Sequence, residues 1–217
     1  MVDFLETAAN GARRGTLLLA HGAGAAMDSP FMERFSRHAA AAGLDVARFE
    51  FAYMAGRRSG GSKRPPPAAE KLVGEFDTAL AESLAETAGP VMIGGKSLGG
   101  RVAAMLAGSP DLDARVVGVV CLGYPFHPPG RAGELRLEPL AGLARPALIA
   151  QGERDPFGDR KEVEALDLPA AVRVLWCEDG SHDLAPRGGS PATWDGNLKA
   201  AAAAAAAFLD EIAGRTF

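Results

Sequence analysis

Six short apolar runs recur along the chain, at Thr16–Ala20, Val46–Phe51, Pro90–Ile93, Val116–Leu122, Ala147–Gln151 and Val172–Cys177. Each is rich in Val, Leu and Ile and closes on a glycine or a polar turn, which suits a strand buried on both faces. Segments with helical spacing lie between them, at Pro30–Ala42, Ala68–Thr87, Leu98–Ala107 and Arg160–Leu166. Thr193–Ala213 closes the series, with Ser190-Pro191 as its start signal. This alternation predicts an α/β fold, a mainly parallel sheet of about six strands with helices on both faces. Such a sheet carries its sites at the carboxyl ends of the strands. The run Ala200–Ala207 reads as part of the last helix, because alanine is the best helix former. The most loop-like stretch, RRSGGSKRPPP at 57–67, is too short to separate domains. With 217 residues there is enough chain for one core and little for two, so residues 1–217 are expected to form one domain.

The stretch GPVMIGGKSLGG, residues 89–100, admits two chemistries. Its Gly-Lys-Ser suggests a phosphate-binding P-loop, which needs four residues between its first glycine and that triplet. Five separate Gly89 from Gly95, and Pro90 lacks the backbone N–H that a phosphate cradle requires. Gly95-Lys96-Ser97-Leu98-Gly99 instead fits G-x-S-x-G, a serine on a tight turn between a strand and a helix. A glycine turn with an exposed serine is the plainer alternative.

Serine chemistry needs a base, a group that orients the base and donors for an oxyanion. His127 and His182 are the two histidines after Ser97. His182 follows the last strand in EDGSHD, within reach of the elbow; a surface-loop histidine is the alternative. The acid should follow the preceding strand, in GERDPFG, where Asp155 is the choice and Asp159 and then Glu153 are alternatives. A turn or capping role competes for Asp155. The oxyanion donors are expected from the backbone N–H of Leu98 and from the loop His21-Gly22-Ala23-Gly24, with Ala23 as second donor and Gly24 as its alternative. His21 is expected to organise that loop without carrying protons. His38 reads as a solvated helix residue, and Lys96 is expected to point away from the nucleophile.

Together the loops HGAG, GKSLGG, GERDPFG and GSHDL resemble those of an α/β-hydrolase. HGAGAAMDSPFM, FEFAYMAGRRSGGSKRPPP, GGKSLGGRVA and LGYPFHPPG narrow the resemblance to a compact group related to dienelactone hydrolases. That group includes testis-expressed hydrolase-like proteins and a subunit of a chromatin acetyltransferase complex. The resemblance implies Ser97, Asp155 and His182 as a triad, and some relatives serve as scaffolds. Opening antiparallel strands are expected to be missing or reduced to Phe4–Thr7. The span from Leu122 to Pro146 is too short for a large helical cap.

An open site of this kind suits a small soluble acyl substrate. His21, Gly24, Tyr124, Phe126 and His127 are candidate pocket residues, although Tyr124–His127 reads equally well as a structural turn. Arg57, Arg58, Lys63 and Arg64 read first as a solvated basic loop and second as a recognition site for an anionic substrate group. No cofactor or metal is called for. A net charge of −4 argues against a nucleic-acid partner, and no apolar run reaches the length of a membrane span. MVDFLETAANGARRG has no long apolar core of the secretory kind. Cys121 and Cys177 lie in strand-like runs and read first as buried free thiols and second as a disulfide between neighbouring strands. Cytoplasmic localisation is the expectation.

Overall fold

A computed structural model describes residues 1–62 and 65–214. Seven strands form one sheet: β1 (Phe4–Thr7), β2 (Gly15–Ala20), β3 (Leu44–Phe49), β4 (Val91–Lys96), β5 (Val116–Leu122), β6 (Ala147–Gly152) and β7 (Val172–Cys177). Their order is β1-β3-β2-β4-β5-β6-β7. All neighbours pair in parallel except β1, which runs antiparallel to β3. β1 is the single opening strand that Phe4–Thr7 predicts. The helices are α1 (Pro30–Ala41), α2 (Ala52–Arg58), α3 (Val73–Glu86), α4 (Leu98–Leu106), α5 (Glu138–Ala141), α6 (Arg160–Glu164) and α7 (Trp194–Ala213).

Consecutive strand residues point to opposite faces, and both faces are covered. Leu18 and Ala20 join the core under α3 and α4, whereas Leu17 and Leu19 join the core that holds α1 and α7. Both sets are fully buried, which is why these runs are apolar throughout and do not alternate. The alanine run lies on the sheet: Ala201, Ala202, Ala205 and Ala206 are buried in that second core. Small residues let the helix come close. A Cβ on Gly118 of β5 would stand 2.5 Å from Ile212 Cδ1 of α7.

Several boundaries differ from the sequence reading, among them β3 at Leu44–Phe49 in place of Val46–Phe51 and β4 at Val91–Lys96 in place of Pro90–Ile93. α7 starts at Trp194, and its cap is Thr193, whose hydroxyl accepts the Gly196 N–H at 3.0 Å. Ser190-Pro191 belongs to the preceding turn. Residues 57 and 58 belong to the last turn of α2, not to a loop. That helix is seven residues long and contains Gly56, so helical spacing has little length in which to show itself. Between β5 and β6 the only helix among the described residues is the four-residue α5, so no cap covers the strand ends.

Cys121 and Cys177 are free and buried, on opposite faces of the sheet. Burial pushes both thiols up to about 12. Two consequences follow. Native protein at pH 8 should not react with a soluble thiol reagent, while denatured protein should consume two equivalents. These groups ionise near 9 in the unfolded chain and near 12 in the folded one, so they lower stability as pH rises through that window. A urea titration series checks the sign.

Candidate active site

Strands β2 and β4 are neighbours, yet the chain leaves them in opposite directions along the sheet. A crevice at the carboxyl ends follows from that divergence. The loop after β2 and the turn after β4 therefore face each other. Ser97 occupies the turn, with φ 50° and ψ −110°, the one residue between β4 and α4. A left-handed φ on a residue with a side chain costs energy and persists only where the surroundings enforce it. Here the Ser97 N–H donates to Leu122 O at 3.0 Å, and its carbonyl accepts the Arg101 N–H at 3.0 Å.

Glycines make the turn possible. A Cβ on Gly95 would lie 2.6 Å from Ala20 O, and one on Gly99 2.6 Å from both Ala20 O and His21 O. The elbow thus sits against the backbone of the His21–Gly24 loop. At the head of α4, N–H groups without helical partners favour negative charge above Ser97. Leu98 supplies the first of them and is half-buried.

Three side chains distant in sequence meet above this turn. His182 Nε2 lies 2.8 Å from Ser97 Oγ. His182 Nδ1 lies 2.8 Å and 3.0 Å from the two carboxylate oxygens of Asp155. An ionised carboxylate only accepts, so Nδ1 carries the proton and Nε2 is free to accept from the hydroxyl. Asp155 is completely buried, a costly place for a charge unless donors surround it. Gln151 Nε2 donates to Oδ2 at 3.0 Å and the Phe157 N–H to Oδ1 at 2.9 Å. His182 keeps 20% of its side-chain surface exposed and Ser97 is half-buried, so a solute can reach both.

The alternatives to Asp155 have other partners. Asp159 caps α6 and accepts the Glu162 N–H at 2.9 Å. Glu153 accepts from Arg160 and from the Asp179 N–H, each at 2.9 Å. The histidine loop is fastened on several sides. Asn197 donates to Glu178 O at 3.0 Å and to Leu184 O at 2.8 Å, and Trp194 Nε1 donates to Asp183 O at 2.7 Å. Hydrogen bonds from Arg187 hold the Asp179 carboxyl down at about 2.

His21 does organise its loop. It is fully buried, its Nδ1 bonds Gly22 O at 2.6 Å, and its Nε2 accepts the Phe51 N–H at 3.1 Å. Both ring nitrogens are committed to backbone, and burial pushes the imidazole below its ordinary range. Ala23 is half-buried and Gly24 exposed, both in the loop that follows β2.

Tyr124, Phe126 and His127 do not line the crevice. Tyr124 and Phe126 are fully buried in the core under α4, and the Tyr124 hydroxyl donates to Arg136 O at 2.8 Å. His127 is buried between Pro128 O at 2.9 Å and Glu162 at 3.2 Å. The aromatic rings fill space beneath the carboxyl ends, where apolar area is best spent. His38 is not merely solvated: Nε2 donates to Asp195 at 2.9 Å, tying α1 to α7. Arg58 pairs with Glu50 at 2.8 Å and Asp28 at 3.0 Å, and Arg57 stands 5.3 Å over the Tyr53 ring. These contacts give both arginines structural roles; Lys63 and Arg64 lie outside the described residues.

Several site residues escaped the sequence reading. Phe157 places its ring 4.2 Å from the His182 ring, and Gln151 steadies Asp155. Gly123, at φ 67°, leaves room for His182, since a Cβ there would stand 2.8 Å from His182 O. The Tyr53 hydroxyl donates across the carbonyls of Gly22 at 3.4 Å and Ala23 at 3.2 Å, which fixes the peptide planes of the loop. Burial pushes the phenol up to about 12, so it remains a donor. Tyr53→Phe should loosen this loop at a stability cost of about 1 kcal/mol, which urea unfolding measures.

A parallel sheet with a switch point, and a strained serine between strand and helix at that point, define the α/β-hydrolase fold. The chain belongs to the alpha/beta hydrolase domain family, whose profile matches residues 13–210. Among solved structures it is similar to an alpha-beta serine hydrolase homologue from Coxiella burnetii, at 18% identity and a TM-score of 0.67, covering 97% of this chain and 90% of that one. Est1E from Butyrivibrio proteoclasticus, in a structure with ferulic acid bound, gives 11% identity and a TM-score of 0.70, covering 97% and 95%. A dienelactone hydrolase from Anabaena variabilis gives 23% identity and a TM-score of 0.65, covering 97% and 92%.

Proposed function

We propose that this chain is a serine hydrolase that cleaves small esters or thioesters through an acyl-enzyme on Ser97. The single observation that carries the proposal is the continuous contact Ser97 Oγ–His182–Asp155, with 2.8 Å at each end of the imidazole. His182 Nε2 takes the hydroxyl proton as Ser97 Oγ bonds to the acyl carbon. The carbonyl oxygen becomes an oxyanion and receives the N–H groups of Leu98 and Ala23. Collapse breaks the bond to the leaving alkoxide or thiolate, which takes the proton from His182. Water then repeats the sequence and releases the acid, with the Nδ1–H held on Asp155 throughout.

Absence of a cap supports a small acyl group over a long lipid chain. The resemblance to the dienelactone-hydrolase-related group, including its testis-expressed and acetyltransferase-complex members, belongs to the same proposal. We read the 217 residues as one hydrolase domain. Free buried thiols support a reducing compartment such as the cytoplasm.

Rapid mixing with p-nitrophenyl acetate tests the mechanism. One equivalent of nitrophenol should appear in a burst, with an acetyl mass increment on the peptide bearing Ser97. A folded protein that shows neither burst nor increment with acetyl, propionyl and butyryl esters and thioesters would favour a binding or scaffold role for the fold.

A further inference from the structure

Lys96 immediately precedes the nucleophile and is buried, with 8% of its side chain exposed. The sequence reading has it point away from the nucleophile and gives it no partner. The ammonium instead donates to the backbone carbonyl of His182 at 2.9 Å and lies 3.3 Å from Asp183 Oδ1. The Phe31 ring centroid is 5.3 Å away, which closes the cation from below. Along its stem, Lys96 Cγ would lie 3.4 Å from a Cβ on Gly22, so the stem runs against the His21–Gly24 loop. One side chain therefore passes beside the loop facing the oxyanion site and bonds the loop carrying the histidine.

Burying a lysine is expensive, and a lysine kept inside usually has a specific task. Burial pulls its ammonium below the ordinary lysine range, while the carboxylates of Asp183 and Asp155 pull the other way. The position leaves the side chain little solvent, and its donors end on the histidine loop. Arg154, Asn197 and Trp194 fasten that loop at Asp179, Glu178, Leu184 and Asp183; Lys96 is the side chain that fastens the carbonyl of His182 itself.

We propose that Lys96 is a positioning residue: its ammonium, by holding the His182 carbonyl against the elbow turn, sets the register of the imidazole over Ser97 Oγ. The inference rests on the serine-hydrolase reading given above. It concerns geometry alone, because Lys96 touches no reacting atom. A tether to the residue before the nucleophile moves base and nucleophile together, so the 2.8 Å contact survives displacement of either loop. Loss of the tether leaves substrate binding intact and spoils the alignment, and a misplacement of about 1 Å in such a contact costs on the order of a hundredfold in rate.

The test is labelling of the full chain with a fluorophosphonate probe, followed as the maximal inactivation rate and the probe concentration at half-maximal rate. Lys96→Met keeps the stem and removes the donor. Its maximal rate should fall at least about tenfold, with the half-maximal concentration within about twofold of the parent. Lys96→Ala should be equally slow, and added propylammonium should restore at least about fivefold in a saturable manner. Tetramethylammonium, with the same charge and no N–H, should restore nothing. Near-UV circular dichroism establishes folding, and the Ala variant with propylammonium decides the matter if the Met variant does not fold. A folded Lys96→Met that labels within twofold of the parent, or a Lys96→Ala rescued equally by tetramethylammonium, overturns the inference. A parent chain left unlabelled at Ser97 would sink the serine-hydrolase reading instead, a result distinct from a labelled parent with an indifferent Lys96.

Discussion

Asp155→Asn should fold and yet turn over a short-chain ester about a thousand to ten thousand times more slowly than the parent. The size of the effect comes from where the two carboxylate oxygens point. Oδ1 accepts from the Phe157 N–H and Oδ2 from Gln151 Nε2, and both face His182 Nδ1. An asparagine has one acceptor oxygen and one NH2 group. Either orientation aims the NH2 at a donor. If it faces His182 as well, Nδ1 must become the acceptor, and the ring proton moves to Nε2. That tautomer cannot take the proton from Ser97. Because the site is fully buried, the misdirected NH2 also lowers stability, by about 1–3 kcal/mol. The measurement is kcat/KM beside urea unfolding. Activity within tenfold of the parent would remove Asp155 from the proposed mechanism.

Gly99→Ala should have the second largest effect, and for a different reason. The added methyl would stand 2.6 Å from the carbonyl oxygens of Ala20 and His21, both backbone atoms at the end of β2. Neither can rotate away as a side chain would. The elbow and the His21–Gly24 loop must separate, and this widens the gap that the oxyanion has to span. We expect a loss of about 2–3 kcal/mol in stability, seen as a Tm lower by roughly 5–10 °C. Turnover by the folded fraction should drop about a hundredfold or more, since oxyanion donors act only at hydrogen-bond distance. Calorimetry and kinetics on the same sample separate the two losses. A variant with unchanged Tm would mean that the close approach of turn and loop is not the constraint described.

Much of this arrangement is legible in the chain. Strands buried on both faces are apolar throughout, so β2, β4, β5 and β6 stand out as runs, and the glycines around Ser97 mark a turn with no room for side chains. Order along the chain then points to Asp155 and His182, because loops at the carboxyl ends of parallel strands converge on one crevice. What stays hidden depends on side-chain direction. Nothing in GKSLGG distinguishes a lysine aimed at solvent from one folded under the histidine loop. Tyr124 and Phe126 follow a strand end as pocket residues would, yet their rings turn into the core. Tyr53 supports the loop after β2 from a helix that is too short and too glycine-bearing to announce itself. Gln151 reads as the polar end of a strand until the buried carboxylate beside it is seen to need a donor.

The central claim is that Ser97 is a nucleophile activated by His182. Its most direct test is a fluorophosphonate adduct located by peptide mass spectrometry, compared among the parent, Ser97→Ala and His182→Gln. The account predicts one adduct, on Ser97, in the parent, none in Ser97→Ala, and labelling slowed at least about a hundredfold in His182→Gln. An unmodified Ser97 in folded parent protein, or equal labelling of all three chains, would contradict it.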